Sequence, residues 1–241
     1  MKKRNIVYVG LAADIIHNGH INILKVASKY GTVVVGLLTD KAISSYKRFP
    51  LLSYKQRYLI VKNLKYVSRV IPQTSADYTH NLNLLRPKYV VHGDDWKQGI
   101  NKKNRQKVIL TLKKWSGKLI EPKYTKNISS SEIKQKIKKI GTTSEVRISK
   151  LKRLMNSKDI VRVLECHNPI TGLIVENVTQ SEKNKFYEFD CMWSSSLTDS
   201  VSRGMPDNQS VDYSTRIQGV NDIFNVTTKP LIFDIDIFLN Q

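Results

Sequence analysis

The sequence predicts an α/β protein whose first half forms a doubly wound parallel sheet. Short runs of apolar, β-branched residues alternate there with longer segments of helical periodicity. The run Thr32–Leu38 is apolar over nearly its whole length, which is typical of a strand buried on both faces. Helical segments between successive strands are the crossovers that parallel strands require. This alternation indicates a Rossmann-like fold, in which ligands bind at the carboxyl ends of the strands.

The elements of the first half follow one another from residue 5 to the region of Ser129. The first strand, at 5–10, precedes a helix at 19–30 that Gly31 terminates as a C-cap. Further strands are expected at 32–38, 66–71, 89–92 and 118–121, and further helices at 53–64, 77–85, 103–114 and from Ser129 onward.

A second region follows the lysine-rich segment 134–153. Gly141-Thr142-Thr143-Ser144 marks the boundary between the two regions. Beyond it we expect strands at 161–165, 189–193 and 230–235 and a helix at 168–178. The predicted organisation is a first domain at 1–143, a basic linker at 144–156 and a second segment at 157–241.

The charge of the 241 residues is unevenly distributed. Residues 1–150 carry 31 basic and 8 acidic side chains, a formal charge of +23, whereas residues 151–241 carry 9 and 12, a formal charge of −3. The basic half suits a polyanionic partner, which can be nucleic acid, an anionic membrane surface or a phosphate-bearing small molecule. The charge alone does not distinguish among the three.

Cysteine content and hydropathy exclude several classes of protein. Cys166 and Cys191 lie far apart in sequence and have no CxxC spacing, so they support neither a disulfide framework nor a zinc site, and a cytoplasmic location is expected. No stretch approaches the roughly 18 apolar residues of a membrane span. An apolar content of 40 % and a charged content of 25 % fit one large or two small globular domains.

Two of the five histidines, His17 and His20, lie three residues apart where the first strand gives way to a helix. Such a pair can bind a metal, hold a phosphate or be an ordinary surface feature. The position favours a phosphate, because a helix N-terminus offers backbone N–H groups and a positive dipole to an anion. Gly19 would let the backbone approach that ligand closely. A metal is disfavoured since no third ligand accompanies the pair.

Four blocks of the first half occur in the order found in a family of nucleotidyltransferases. They are Asp14–Leu24, Ser53–Val61 with Lys47 before it, His92-Gly93-Asp94-Asp95-Trp96, and Ile128–Ile133. The first block resembles the HxGH region of the cytidylyltransferases, a group that includes the glycerol-3-phosphate, phosphocholine, phosphoethanolamine and 2-aminoethylphosphonate enzymes. Four blocks in order are a more specific signal than the HxGH motif alone.

This resemblance implies a site for CTP. His17 and His20 would donate hydrogen bonds to the CTP phosphates as pyrophosphate leaves, and Lys47 would add positive charge. Hydroxyl and helix N–H groups would hold the triphosphate at Ser129, Ser130 and Ser131. Mg²⁺ would accompany the nucleotide. Asp94 would contact cytidine or the metal, and the remaining nucleotide-binding positions are Asp14, Gly19 and Arg57.

Simpler explanations exist for two of these residues, and the chain departs from the family in two places. Arg57 can be an ion-pair partner on a helix face, and Ser129 can be an N-cap with Glu132 completing a capping box. Leu11-Ala12-Ala13 replaces the usual Gly-Thr-Phe, and Tyr124-Thr125-Lys126-Asn127 replaces the usual Arg-Thr-Glu-Gly. Tyr124 thereby removes a positive charge that Lys123 or Lys126 could restore.

The second half resembles another family over four segments: Leu164–Asn168, Phe189–Asp199, Gly204–Asp207 and Thr227–Asp236. These resemble phosphoenolpyruvate phosphomutase, of the isocitrate lyase superfamily. The resemblance implies that the Trp and Ser region cradles the substrate and that paired aspartates at a strand end serve Mg²⁺. The residues that fall on the positions of this mutase site are Trp193, Ser195, Asp207, Asp234 and Asp236.

That family folds as a (β/α)₈ barrel of about 250 residues. Residues 157–241 supply roughly its first three strands. We therefore expect an incomplete (β/α) barrel fragment with a vestigial, inactive mutase site. A fragment, a frameshifted product and a decayed domain all fit this expectation.

Three functions fit the sequence. The first is a CTP-dependent cytidylyltransferase that forms CMP-2-aminoethylphosphonate and pyrophosphate, because phosphomutase makes the first phosphonate of phosphonate biosynthesis; phosphocholine, phosphoethanolamine and glycerol 3-phosphate are alternative acceptors. The second is a phosphomutase with an accessory first domain. The third, nucleic-acid binding, is disfavoured because the basic residues have no interleaved aromatic platform. The cytidylyltransferase resemblance also implies a homodimer.

Overall fold

The computed structural model describes residues 5–97, 102–123, 125, 142–182 and 185–235. The chain divides into two compact units. The first unit is Met1–Lys134 with Ser181–Phe186, and the second is Gln135–Gln180 with Tyr187–Gln241.

Five parallel strands form the sheet in the described part of the first unit, in the order β3-β2-β1-β4-β5. These strands are β1 (Ile6–Leu11), β2 (Thr32–Leu38), β3 (Arg69–Gln73), β4 (Tyr89–Val91) and β5 (Lys118–Ile120). The helices are α1 (Asn18–Ser28), α2 (Asp40–Ser44), α3 (Tyr54–Lys62), α4 (Thr79–Leu85) and α5 (Lys102–Lys113), and a 3₁₀ turn spans Asp94–Lys97. The chain runs outward from β1 to β3 and then returns to place β4 on the other side of β1. The predicted doubly wound sheet is confirmed, with its topological switch point between β1 and β4.

Both faces of this sheet are buried, which explains the unbroken apolar runs in the sequence. Val7, Val9 and Leu11 of β1 belong to one core cluster, and Tyr8 belongs to the cluster on the opposite face. Gly36 leaves room for Tyr8, because an added Cβ would lie 1.7 Å from the tyrosine hydroxyl.

Most elements of the first unit begin and end within a few residues of their predicted bounds. The exception is β3, which was expected at 66–71 and lies at Arg69–Gln73. Tyr66 and Val67 are apolar because they pack against the core from the turn that precedes the strand. The short helix α2 and the 3₁₀ turn were not predicted, and the helix expected from Ser129 lies outside the described residues.

The second unit has a smaller parallel sheet, with described strands in the order β10-β9-β6. Its strands are β6 (Val163–Glu165), β9 (Cys191–Ser194) and β10 (Leu231–Phe233). The strands β7 (Thr179–Glu182) and β8 (Lys185–Glu188) pair as a separate hairpin, of which Ser181–Phe186 belong to the first unit. The helices of the second unit are α6 (Ser144–Ser157), α7 (Pro169–Asn177), α8 (Ser196–Val201) and α9 (Tyr213–Val226). The strands of the parallel sheet follow one another across it in chain order, as the first strands of a (β/α) barrel would. The hairpin and helices α8 and α9 were not predicted.

Residues 144–156, which were expected to be a basic linker, form most of α6. Arg147 is buried and donates hydrogen bonds to the main-chain oxygens of Phe224, Thr227 and Lys229, the last at 2.6 Å. Leu154 is completely buried as well. The expected linker is wrong because Arg147 satisfies buried carbonyl groups of the second unit. Helix α6 is therefore part of that unit. Among the helices of the described residues, none is long and apolar enough to cross a membrane.

Candidate functional site

The site expected for a phosphate lies where β1 and β4 end, at the switch point of the five-stranded sheet. His17 is the N-cap of α1, which follows β1, and His20 is the third residue of that helix. Asp94 opens the 3₁₀ turn that follows β4. Loops after neighbouring parallel strands converge at such a point, and ligands bind there in open α/β sheets.

The rings of the two histidines lie against each other, with centroids 4.0 Å apart. The backbone N–H of His17 donates to Nδ1 of His20 at 3.3 Å, so the proton of the neutral His20 ring is on Nε2. Burial, His17 and Lys47 lower the pKa of His20 to about 4. His20 is therefore a neutral ring at pH 7 that offers an Nε2–H donor.

His17 adds a second imidazole whose charged form is disfavoured. Burial lowers its pKa, and within the described part of the chain its buried Nδ1 has no hydrogen-bond partner. An added Cβ on Gly19 would lie 3.0 Å from Cε1 and Nδ1 of His17. The expectation that Gly19 admits a ligand is thus joined by a second reason: the glycine also gives the His17 ring its position.

Lys47 lies in the same electrostatic environment as the histidines. Its charge lowers the pKa of both His20 and His92, after the larger effect of burial in each case. Its Nζ is 5.5 Å from the ring centroid of Tyr46. The Lys47 ammonium group thus affects His20, on the β1 side of the switch point, and His92, on the β4 side.

His92 was not predicted as a site residue. Its ring stacks on Trp96, with centroids 3.8 Å apart and an interplanar angle of 10°. Nδ1 donates to the carbonyl of Gly93 at 2.8 Å, which leaves Nε2 of the neutral ring as an acceptor. The available signal was its place directly after β4, in the block that ends at Trp96.

Arg57, which was expected to bind nucleotide, lies beneath the site. It is completely buried and donates to the carbonyls of Ala12 at 2.6 Å and Leu38 at 2.7 Å, and to Asp40 at 2.6 Å. The chain at the ends of β1 and β2 has carbonyl groups that need donors, and Arg57 supplies them. The alternative of an ion-pair partner is therefore the better description, although the pair with Asp40 is buried.

Asp14 also has a structural contact in this region. Its side chain is buried, and Oδ1 accepts a hydrogen bond from the backbone N–H of Leu52 at 3.0 Å. This bond joins the β1–α1 loop to the segment that precedes α3.

The segment after β5 approaches α1 at Thr125. Its Oγ1 accepts from Nδ2 of Asn22 at 3.2 Å, and it is also the nearest residue after His17 to a Cβ placed on Gly19. Thr125 is the one position of Tyr124-Thr125-Lys126-Asn127 that keeps the family residue. Tyr124, Lys126 and the serines Ser129, Ser130 and Ser131 lie outside the described residues.

This arrangement suits a polyanion. His17 and Lys47 both disfavour the charged form of His20, and a bound anion would have the opposite effect on it. Among the described residues no group of three or more His, Cys, Asp or Glu side chains could hold a metal ion.

The second unit brings part of the predicted mutase site to the ends of β9 and β10. Trp193 is exposed, Ser195 is the N-cap of α8, and Asp207 accepts from Ser196 at 3.5 Å. The carbonyl of Asp234 accepts from Arg216 at 2.8 Å, and Asp236 lies outside the described residues.

One buried carboxylate of this unit, Asp199, was not predicted as a site residue. Asp199 accepts from Nε of Arg216 at 3.2 Å and from the hydroxyl of Ser194 at 3.4 Å. Arg216 lies on a helix, α9, that the sequence did not predict, so this ion pair was not foreseen.

Comparison with known families agrees with this division. The profile of the cytidylyltransferase-like family matches residues 8–136, which include most of β1, all of β2 to β5 and both histidines of the switch point. The chain belongs to the cytidylyltransferase-like family. The phosphoenolpyruvate phosphomutase family matches residues 151–237, which confirms the fusion indicated by the sequence. The second match begins inside α6.

Several proteins named as cytidylyltransferases are similar to this chain. The ethanolamine-phosphate cytidylyltransferase of Dictyostelium discoideum is 34% identical over 134 residues, covering 55% of this chain and 36% of that protein. The probable ethanolamine-phosphate cytidylyltransferase of Schizosaccharomyces pombe is 27% identical over 177 residues, covering 70% and 47%. The glycerol-3-phosphate cytidylyltransferase of Bacillus subtilis is 28% identical over 131 residues, covering 52% and 90%. The chain thus spans less than half the length of the two ethanolamine-phosphate enzymes.

Proposed function

We propose that the first unit is a CTP-dependent cytidylyltransferase. The observation that carries the proposal is the group formed by His17, His20 and Lys47 at the switch point of the sheet. Burial lowers the pKa of both imidazoles, and His17 and Lys47 lower that of His20 further. Within the described residues, the buried Nδ1 of His17 has no hydrogen-bond partner. A bound triphosphate would supply the negative charge that these groups face.

The proposed reaction is an in-line displacement at the α-phosphorus of CTP. A phosphoryl or phosphonate oxygen of the acceptor forms a bond to that phosphorus, the bond to the bridging oxygen of the β-phosphate breaks, and pyrophosphate leaves. Nε2–H of His20 and a ring N–H of His17 would donate to the phosphate oxygens as the negative charge of the leaving group develops. Lys47 would add a fixed positive charge. Such catalysis depends on positioning and charge stabilisation.

Other residues have supporting roles in the proposal. Ser129, Ser130 and Ser131 would hold the triphosphate, and Asp94, at the carboxyl end of β4, would contact cytidine or Mg²⁺. A single carboxylate fits Mg²⁺ that is bound mainly through substrate phosphates. When bound with CTP, that ion would neutralise phosphate charge. Asp14 and Gly19 would shape the loop around the nucleotide.

We propose 2-aminoethylphosphonate as the acceptor, with CMP-2-aminoethylphosphonate as the product in phosphonate biosynthesis. The support is the fusion to a segment of the phosphoenolpyruvate phosphomutase family, since that reaction makes a phosphonate. Two relatives are named for ethanolamine phosphate, which carries the same aminoethyl group. The two acceptors differ in having a P–C or a P–O–C linkage. We further propose that the enzyme is a cytoplasmic homodimer.

Pyrophosphate release from CTP and Mg²⁺ tests the proposal across four acceptors: 2-aminoethylphosphonate, phosphoethanolamine, phosphocholine and glycerol 3-phosphate. We expect the highest kcat/KM with 2-aminoethylphosphonate and a CMP-linked product in ³¹P NMR spectra. A preference for another acceptor would overturn the choice of substrate and leave the activity in place. No turnover with any of the four would overturn the function. Light scattering on the same sample gives the oligomeric state.

A further inference from the structure

A hydrogen-bonded chain of side chains lies behind His92, outside the predicted site. Arg105 of α5 donates to both carboxylate oxygens of Glu121, from Nε at 2.8 Å and from Nη2 at 2.9 Å. The indole Nε1–H of Trp96 donates to Oε1 of the same carboxylate at 2.7 Å. Trp96 is almost completely buried. Because the carboxylate is charged and held from two sides, it is a strong and well-directed acceptor for the indole.

Trp96 in turn determines where the His92 ring lies. The two rings are nearly parallel, and Nδ1 of His92 is tied to the carbonyl of Gly93. Tyr78 lies near both rings, with its centroid 6.3 Å from that of His92 and 5.9 Å from that of Trp96. Stacking fixes the plane of the imidazole and the bond to Gly93 fixes its flip. Nε2 is then the nitrogen left to contact a ligand.

We propose that Glu121 is a positioning residue for the proposed transferase. By fixing the indole of Trp96, Glu121 holds the His92 ring at the switch point. The inference rests on the proposed function, since it assigns His92 a contact with the bound substrates. Glu121 directly follows β5 and leads into the segment that reaches α1 at Thr125. One carboxylate therefore joins α5, the β4 turn and the chain approaching the proposed triphosphate site.

The competing explanation is that this chain of bonds only stabilises the fold. The first unit provides a matched control, because Nε1–H of Trp115 donates to the carbonyl of Pro87 at 2.9 Å. Trp96→Phe and Trp115→Phe each remove one indole hydrogen bond and retain an aromatic ring. Only the first of these bonds leads to His92. A purely structural role predicts similar effects of the two changes on thermal stability and on kinetics.

The experiment compares wild-type protein, Trp96→Phe, Glu121→Gln, the double variant and Trp115→Phe. For each we would measure the Tm and the kcat and KM for pyrophosphate release. We expect Trp96→Phe to lower kcat about 10-fold, the lower end of what outer hydrogen-bonding partners contribute at metal sites. The KM for CTP should change less, because the histidine pair would still hold the nucleotide. Trp115→Phe should keep the wild-type kcat at a comparable Tm.

The double variant tests whether Glu121 acts through the indole. If it does, Glu121→Gln should lower kcat little further once Trp96 is phenylalanine. Effects that multiply, or a Trp96→Phe protein whose kinetics match those of Trp115→Phe, would overturn the inference while the transferase stands. A wild-type protein that neither binds CTP nor releases pyrophosphate would overturn the proposed function and this inference with it.

Discussion

Both units place polar side chains at the carboxyl ends of parallel strands, but these side chains differ in whether the protein itself supplies their hydrogen-bond and ion-pair partners. In the first unit, burial lowers the pKa of both His17 and His20, and the buried Nδ1 of His17 has no hydrogen-bond partner among the residues that the structure describes. In the second, Asp199 is occupied by Arg216 and Ser194. A site that keeps donors unused in a positive environment is prepared for an anionic ligand, whereas an internally neutralised cluster is not.

The two sheets also differ in how deeply their strands are buried. The central strands β1 and β2 of the first sheet are buried on both faces. In the second, Trp193 and Ile232 are register partners on neighbouring strands and are 45% and 40% exposed. These differences support the proposal that the transferase activity resides in the first unit, and substitutions in the two units should therefore have different effects.

The largest effects are expected from the buried arginine at the strand ends of each unit. Arg57→Met removes a guanidinium that holds two carbonyls and Asp40. Arg216→Met removes the buried cation of Asp199 and leaves it only the partly exposed Arg203, 3.6 Å from Oδ1. Each should destabilise its own unit by about 3–5 kcal/mol. Urea unfolding followed by tryptophan fluorescence checks this. The signal of Trp193→Phe protein reports the first unit, and the difference between it and the signal of protein that keeps Trp193 reports the second.

Activity separates the two arginine variants. Arg57→Met should also lower kcat/KM for pyrophosphate release, because Arg57 holds the chain just before the histidine loop. Arg216→Met should leave pyrophosphate release unchanged in conditions where the first unit is folded. Equal losses of activity would contradict the assignment of function to one unit.

Acid should destabilise the first unit through His20. Its pKa is about 4 in the folded chain and 6.5 when unperturbed. Between these values the unfolded chain binds more protons, so the free energy of unfolding falls as the pH falls from 6.5 towards 4. The loss should be on the order of 2–3 kcal/mol and level off below pH 4. Denaturant unfolding across this range should show a flatter profile for His20→Asn, and an identical profile would contradict the burial of a neutral imidazole.

Two glycines allow a finer comparison between the units. Gly19→Ala places a Cβ 3.0 Å from the His17 ring, whereas a Cβ on Gly219 of α9 meets only Nη2 of Arg203, at 3.6 Å. Alanine in a helix interior is favoured over glycine by roughly 0.5–1 kcal/mol. Gly219→Ala should therefore raise the Tm slightly and preserve activity.

Gly19→Ala should instead displace His17 and lower kcat/KM by about 10-fold or more, since small misplacements of catalytic groups are costly. Measurement of kcat/KM and Tm for Gly19→Ala and Gly219→Ala tests these two predictions. Full activity of Gly19→Ala would show that the position of the His17 ring is not important for turnover.

The smallest effect is expected in the mutase-like unit. Trp193→Ala changes an exposed side chain of the predicted mutase site, and it should leave pyrophosphate release within experimental error. We also expect the protein not to interconvert phosphoenolpyruvate and phosphonopyruvate, which ³¹P NMR would detect. Conversion that Trp193→Ala abolishes would contradict the contrast between the two units.

The sequence predicted those parts of the molecule that depend on local pattern. Alternating strands and helices fixed the doubly wound sheet, and the position of His17 and His20 after the first strand placed them at its switch point. Arg57 was misplaced because a helix pattern does not reveal which main-chain carbonyls a long side chain reaches. The same limitation applies to Arg147, whose partners lie about 80 residues away and which turned an expected linker into a packed helix.

His92 was missed for a different reason. The role proposed for it depends on stacking on Trp96 and on the bond between Trp96 and Glu121, 25 residues further along the chain. The second of these is a long-range contact that no motif spacing encodes. Its position after β4 was visible, but only the folded sheet shows that β4 is the neighbour of β1.

The most direct test of the proposed phosphate site is pyrophosphate release from CTP by three histidine variants, with 2-aminoethylphosphonate as acceptor. His17→Ala and His20→Ala should each lower kcat/KM by about 10²-fold or more, the effect of removing one donor from a charge-stabilising site. His80→Ala, on the exposed surface of the same unit, should behave as wild type. All three proteins should remain folded by circular dichroism. Near-normal turnover of His17→Ala and His20→Ala would contradict the claim that the switch point is the phosphate site.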